Sequence, residues 1–139
     1  MDDAKFFAEA KKASYSSTCL KVQTGAVIVK EGKIIGRGAN LCSPNGFNHG
    51  KKVKSCPRMN LPSGEKYEIC KPLHAELLAI LDAGAKNCRG AVMYLWGHYY
   101  ACWHCQSIAH LVGIKEIKCS ETKESFYKKH PNIKGKEEK

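Results

Sequence analysis

The chain is organised around His74-Ala75-Glu76 and around Cys102-Trp103-His104-Cys105, which begins 28 residues after His74. One histidine and two thiolates can hold zinc on three sides and leave the fourth tetrahedral position to water, as in catalytic zinc sites. On a helix, Glu76 would lie about 200° around the axis from His74, so its carboxylate is better placed to reach over the bound water than to ligate the ion. A purely structural zinc site would instead favour a fourth Cys or His. The sequence therefore predicts His74, Cys102 and Cys105 as zinc ligands and Glu76 as the group that moves protons.

Outward from these stretches, apolar periodicity predicts the remaining elements. Residues 74–85 are apolar almost all round, which predicts a deeply buried helix, and a second helix opens at residues 102–105 and runs to 112. A further helix covers residues 3–16, and a last helical turn or two covers residues 125–130. Strands are predicted at residues 24–29, 34–39, 91–96 and 114–119. The order α-β-β-α-β-α-β indicates an α/β fold, a three-layer α-β-α sandwich with a central mixed sheet.

Residues 40–73 form a long segment without regular periodicity, interrupted by Pro and Gly at short intervals. A loop of this length inside a compact domain needs a function or a crosslink of its own. Cys19, His49, Cys56 and Cys70 would be enough for a second, structural zinc site, with Cys42 as a substitute ligand. Ordinary thiols without metal are the alternative.

Length and composition bound the function classes. The 139 residues suit one domain, with residues 1–125 as the folded unit and residues 126–139 as a basic, flexible C-terminal tail. No stretch approaches the ~20 apolar residues of a membrane span, and the charged N-terminus does not resemble a signal peptide, so we expect a cytoplasmic protein with no membrane partner. Eight cysteines then indicate reduced thiols and metal rather than disulfides. The net charge of +10 is compatible with a phosphate-bearing ligand.

The motifs together resemble a known family. His-x-Glu followed by Cys-x-x-Cys is the pattern of zinc nucleobase deaminases, although Ala101 stands where that pattern has proline. The chain is similar to the cytidine/deoxycytidylate deaminase family, and within it to the deoxycytidylate (dCMP) deaminase branch. The segments that carry the resemblance are Gly25-Ala26-Val27-Ile28-Val29, Gly36-Arg37-Gly38-Ala39-Asn40, Pro44-Asn45-Gly46, His74-Ala75-Glu76-Leu77-Leu78-Ala79-Ile80, Met93-Tyr94, Cys102 with Cys105, and Gly113-Ile114-Lys115-Glu116-Ile117.

The resemblance implies a cytidine deaminase-like fold and hydrolytic deamination of a cytosine nucleotide, dCMP to dUMP with release of ammonia. It implies that His74, Cys102 and Cys105 hold the catalytic zinc, that Glu76 shuttles protons, that Asn40 contacts the sugar and that the backbone N–H of Ala75 contacts the base. It also implies a homo-oligomer. The alternatives are a deaminase acting on another nucleoside or base, or on nucleic acid in the manner of tRNA adenosine deaminases, and a non-catalytic zinc module.

The chain departs from the family pattern between the third strand and Cys102. The segment from Trp96 to Ala101 is about two residues longer than usual and lacks the proline. His98, Tyr99 and Tyr100 in this segment, together with Trp103, are candidates for stacking on a base or shaping the pocket, with simple packing as the alternative.

Overall fold

The structure, a computed structural model, describes residues 2–19, 22–42 and 73–131. In chain order its elements are α1 (Asp3–Ser14), β1 (Gly25–Lys30), β2 (Lys33–Ala39), α2 (Ala75–Ala83), a 3₁₀ turn (Ala85–Cys88), β3 (Val92–Trp96), α3 (Trp103–Leu111), β4 (Glu116–Cys119) and α4 (Lys123–Lys129). Within these three segments no helix is both long enough and apolar enough to cross a membrane.

The four strands form one mixed sheet in the order β2-β1-β3-β4. β1 is antiparallel to β2 and β3, whereas β3 and β4 are parallel, with α3 as the crossover that a parallel pair needs. The β1–β2 hairpin turns through Glu31 and Gly32, which both have positive φ, as a two-residue hairpin loop requires.

Helices cover both faces of this sheet. Because successive strand residues point to opposite faces, Val27 and Tyr94 pack against α1, while Ile28 and Met93 pack on the opposite side against α2 and α3. The predicted three-layer sandwich with a central mixed sheet is confirmed. A hydrophobic core lies between the sheet and the helices on each face, and these two main cores hold the strand ends in place.

α2 lies directly on the backbone of β2. A Cβ atom at Gly38 would lie 2.4 Å from the carbonyl oxygen of Ala75, and one at Gly36 would lie 2.5 Å from that of Ala79, whereas real Cβ contacts essentially never fall under 3.0 Å. Glycine at both positions therefore lets the helix approach the strand closely. This contact sets the position of residues 74–76 relative to the sheet.

The predicted deep burial of α2 is only partly correct. Ala75, Ala79, Ile80 and Ala83 are buried, but Leu81 is 68% exposed. One face of α2 therefore points away from the sheet. The sequence could not predict which face, because apolar residues lie almost all round the helix.

The predicted boundary between domain and tail at residue 125 falls inside α4. Thr122 and Ser125 form a capping box at the start of this helix. Phe126 is fully buried in a small apolar cluster with Val22. Residues 126–130 are therefore packed on the domain rather than part of a flexible tail, because the ring of Phe126 anchors them. Residues 132–139 of the predicted tail lie outside the described segments.

Candidate active site

Two helix N-termini bring the predicted zinc ligands together. His74 is the residue before α2 and Cys102 the residue before α3, and both have extended backbones that turn the chain into the helix. Cys105 lies in the first turn of α3 and its backbone N–H donates to Cys102 Sγ, 3.4 Å away. Both thiols therefore lie at the N-terminus of α3, the positive end of its dipole, which by itself favours their ionised form.

The distances between the three side chains suit a zinc ion. His74 Nδ1 lies 3.3 Å from Cys102 Sγ and 3.4 Å from Cys105 Sγ, and all three ligand atoms lie within 4.8 Å of one another. Tetrahedral zinc with ordinary Zn–N and Zn–S bonds would hold nitrogen and sulfur about 3.6 Å apart. Two thiols and an imidazole nitrogen at these separations fit zinc, and Glu76 is not part of this group.

The two thiols differ in their electrostatic surroundings. Burial by itself raises the pKa of Cys102, but the contact with His74 and the N–H of Cys105 bring that pKa below its ordinary value. Burial raises the pKa of Cys105, and the nearby charge of Glu76 raises it further. A bound cation favours the thiolate form of both residues, so metal binding and ionisation of the site are coupled.

Glu76 is a buried carboxylate beside the three ligands. It lies in the first turn of α2 and is 5% exposed. Its charge also reaches Cys119 at the end of β4, where burial and then Glu76 raise the pKa of the thiol to about 11. A carboxylate held out of water next to a metal-binding group can accept and return protons.

Asn40 ties the end of β2 to the segment before β1. Its Oδ1 accepts from the Thr24 N–H at 2.9 Å and from Ser17 Oγ, while its Nδ2 donates to the Val22 carbonyl oxygen at 2.7 Å. Asn40 is 8% exposed. No local pattern in the sequence indicates this structural role, because the partners Ser17, Thr24 and Val22 lie 23, 16 and 18 residues from Asn40.

Ala75 is fully buried as the first residue of α2. The N–H of a first helical residue has no partner within its helix. The predicted contact of this N–H with a base is compatible with that position.

The predicted second zinc site lies mostly outside the described residues, which exclude His49, Cys56 and Cys70. Cys19 and the substitute ligand Cys42 are described, and both are buried. The Sγ of Cys42 contacts the carbonyl oxygen of Thr18 at 3.1 Å. The second site stays a prediction.

The rings of His98 and Tyr99 pack against α4, and the Tyr100 ring packs on both of them. His98 lies 4.4 Å from the Phe126 ring and Tyr99 lies 5.3 Å from it, centroid to centroid. Tyr100 also lines a cleft of about 390 Å³ between α3 and β4, which Cys119 borders as well. Packing is thus established for this loop, and contact of these rings with a substrate stays a prediction.

A family comparison matches most of the chain. The family profile described as the cytidine and deoxycytidylate deaminase zinc-binding region matches residues 1–121. This range includes all four residues of the site described above.

Two curated relatives are deoxycytidylate deaminases of yeasts. The one from Saccharomyces cerevisiae is 33% identical over 123 residues, which is 86% of this chain and 38% of the relative. The one from Schizosaccharomyces pombe is 32% identical over 118 residues, which is 83% of this chain and 35% of the relative. The chain therefore spans little more than a third of the length of these relatives.

One solved structure shows the same fold at low sequence identity. The dCMP deaminase of the cyanophage S-TIM5, in complex with dCMP and dUMP, has a TM-score of 0.61 and is 18% identical, with 96% of this chain and 95% of that chain covered.

Proposed function

The chain belongs to the cytidine and deoxycytidylate deaminase family, and we propose that it catalyses the hydrolytic deamination of dCMP to dUMP with release of ammonia. The observation that carries the proposal is the convergence of His74 Nδ1 and two cysteine Sγ atoms beside the buried carboxylate of Glu76. The choice of dCMP is supported by the names of the two yeast relatives.

Each residue of the site has a defined task in this reaction. His74, Cys102 and Cys105 hold the zinc ion, which when bound supplies a Lewis acid that activates water. Glu76 accepts a proton from the attacking water and donates it to N3 of the cytosine ring as the water oxygen bonds to C4. Glu76 then transfers the remaining proton of that oxygen to the amino group, the C4–N4 bond breaks and ammonia leaves.

Two further residues bind the substrate in this proposal. The N–H of Ala75 donates to the carbonyl oxygen of the base. Among its described contacts, Asn40 uses one of its two amide protons to bind Val22. The other amide proton is assigned to the sugar.

The test is ammonia release from purified protein whose zinc has been counted by elemental analysis. The panel holds dCMP, CMP, deoxycytidine, cytidine and adenosine, with a tRNA and a single-stranded DNA as the polynucleotide arms. Turnover of dCMP well above the other compounds supports the proposal. Turnover confined to a polynucleotide would replace it with nucleic-acid deamination, the alternative that the net charge of +10 allows.

The same preparation tests two further parts of the proposal. About two zinc ions per chain are expected if Cys19, His49, Cys56 and Cys70 hold a structural zinc, and about one if they do not. We also propose a homo-oligomer, supported by the exposed apolar side chains of Leu81, Trp103 and Leu111 on neighbouring helices. Light scattering after size exclusion gives the oligomeric state, and cell fractionation tests the expected cytoplasmic location.

A further inference from the structure

A loop of five residues, 97–101, connects β3 to the ligand Cys102. A hydrogen bond holds each of its two ends. The N–H of Gly97 donates to Ser120 Oγ at 3.0 Å, and the carbonyl oxygen of Ala101 accepts from Gln106 Nε2 at 2.6 Å. Because the loop is short, the conformation of its middle sets where the Cys102 backbone enters α3.

The side chain of His98 holds the backbone in the middle of the loop. His98 Nδ1 lies 2.9 Å from the backbone nitrogen of Tyr99 and 3.4 Å from that of Tyr100, and both N–H groups donate to it. Residue 101 is alanine, so no proline ring restricts the backbone before the ligand. The imidazole therefore provides the acceptor that bends residues 98–100 into this conformation.

The imidazole is in turn held by aromatic rings on three sides. It stacks on Tyr99 with 5.0 Å between centroids, meets Tyr100 edge-on at 4.6 Å and packs on Phe126 of α4 at 4.4 Å. Phe126 is fully buried. α4 thus fixes the plane of the imidazole, and with it the direction in which Nδ1 points.

We propose that His98 is a positioning residue for the zinc ligand Cys102, with α4 as its support. Acting through two backbone N–H groups, His98 holds the loop so that Cys102 Sγ lies within reach of His74 and Cys105. This inference rests on the proposed zinc site but not on the identity of the substrate. Its test therefore uses zinc affinity as the main readout.

A matched pair of amide variants separates the acceptor from the bulk of the side chain. In His98→Asn the side-chain oxygen occupies the place of Nδ1 and can still accept both N–H groups. In His98→Gln the oxygen is one methylene further out, in the place of Nε2, and cannot. Both variants are neutral and polar, so differences between them report the position of the acceptor. The control variant is His110→Leu, because His110 is an exposed histidine in α3.

Zinc affinity is measured by competition with a chromogenic chelator, alongside thermal unfolding and the kcat and KM for dCMP. We expect His98→Gln to weaken zinc binding by roughly 10–100-fold, the size of effect seen when a group that orients a metal ligand is lost. We expect His98→Asn to stay within about threefold of the unmodified protein, as should His110→Leu. Activity loss in His98→Gln should fall mainly on kcat.

Equal zinc affinity in the two amide variants would overturn the proposal, whether or not both lose thermal stability, because a merely structural role predicts no difference between them. The zinc readout holds even if dCMP is not turned over. Failure of the proposed substrate and failure of this inference are therefore distinguishable.

Discussion

The contact between α2 and β2 makes a quantitative prediction for Gly38→Ala. The added Cβ would lie 2.4 Å from the Ala75 oxygen and 2.5 Å from the Ala79 nitrogen, while ordinary contact begins at 3.4 Å. Both atoms belong to the helix backbone and cannot rotate away. The start of α2 must therefore move off the sheet by about 1 Å, which is the difference between 3.4 Å and 2.4 Å.

This displacement is expected to lower both the free energy of unfolding and the affinity of the site for zinc. Overpacking of a core by one carbon typically costs about 1–3 kcal/mol, and replacing glycine in a strand returns roughly 0.5–1 kcal/mol through lower chain entropy. We expect a net loss of about 1 kcal/mol in the free energy of unfolding. Because Ala75 follows His74 directly, we also expect zinc affinity to fall by at least about tenfold.

Gly36→Ala is the matched control. Its Cβ would meet Ala79 and Ala83, one to two turns further along α2, at 2.5–2.8 Å. Urea unfolding should show a similar stability loss for both variants, whereas chelator competition should show the larger loss of zinc affinity for Gly38→Ala. If Gly38→Ala kept the stability and zinc affinity of the unmodified protein, α2 could not rest on β2 as described.

Three further predictions concern single side chains. Glu76→Gln should lower turnover by about 10²–10⁴-fold while zinc per chain stays unchanged, and loss of zinc in elemental analysis would instead make Glu76 a ligand. Asn40→Asp keeps the acceptor but removes the donor to the Val22 carbonyl, so urea unfolding should show a loss of about 1–3 kcal/mol; unchanged stability would contradict the hydrogen-bond assignment. Burial, followed by the hydrogen bond to Asp3, raises the pKa of Tyr94 to about 12 from 10.0. The folded state thus keeps a proton that the unfolded chain loses, so stability should fall as pH rises from 10 to 12, and Tyr94→Phe should show a shallower fall in the same titration.

Much of the architecture could be predicted from local pattern. The short, nearly continuous apolar runs of β1 and β3 and the turn at Glu31 and Gly32 locate the strands, because each depends on residues close together in the chain. The predicted boundary at residue 125 does not match the structure, because it depends on contacts between residues that are far apart in the chain. What makes residues 126–130 part of the domain is the burial of Phe126 against rings of residues 98 and 99, nearly 30 positions earlier.

The sequence by itself determined which donor groups this protein offers, since His74, Cys102 and Cys105 provide one imidazole and two thiols that could hold zinc, and Glu76 provides a carboxylate close to His74 in the chain. It did not determine how far apart these groups lie. The 3.3–3.4 Å between His74 and the two thiols depends on the register of β1, β2 and β3 and on the close seating of α2 over Gly38. Only the tertiary structure decides these distances, because the two halves of the site are separated by 28 residues of chain and meet through the packing of two helices on one sheet.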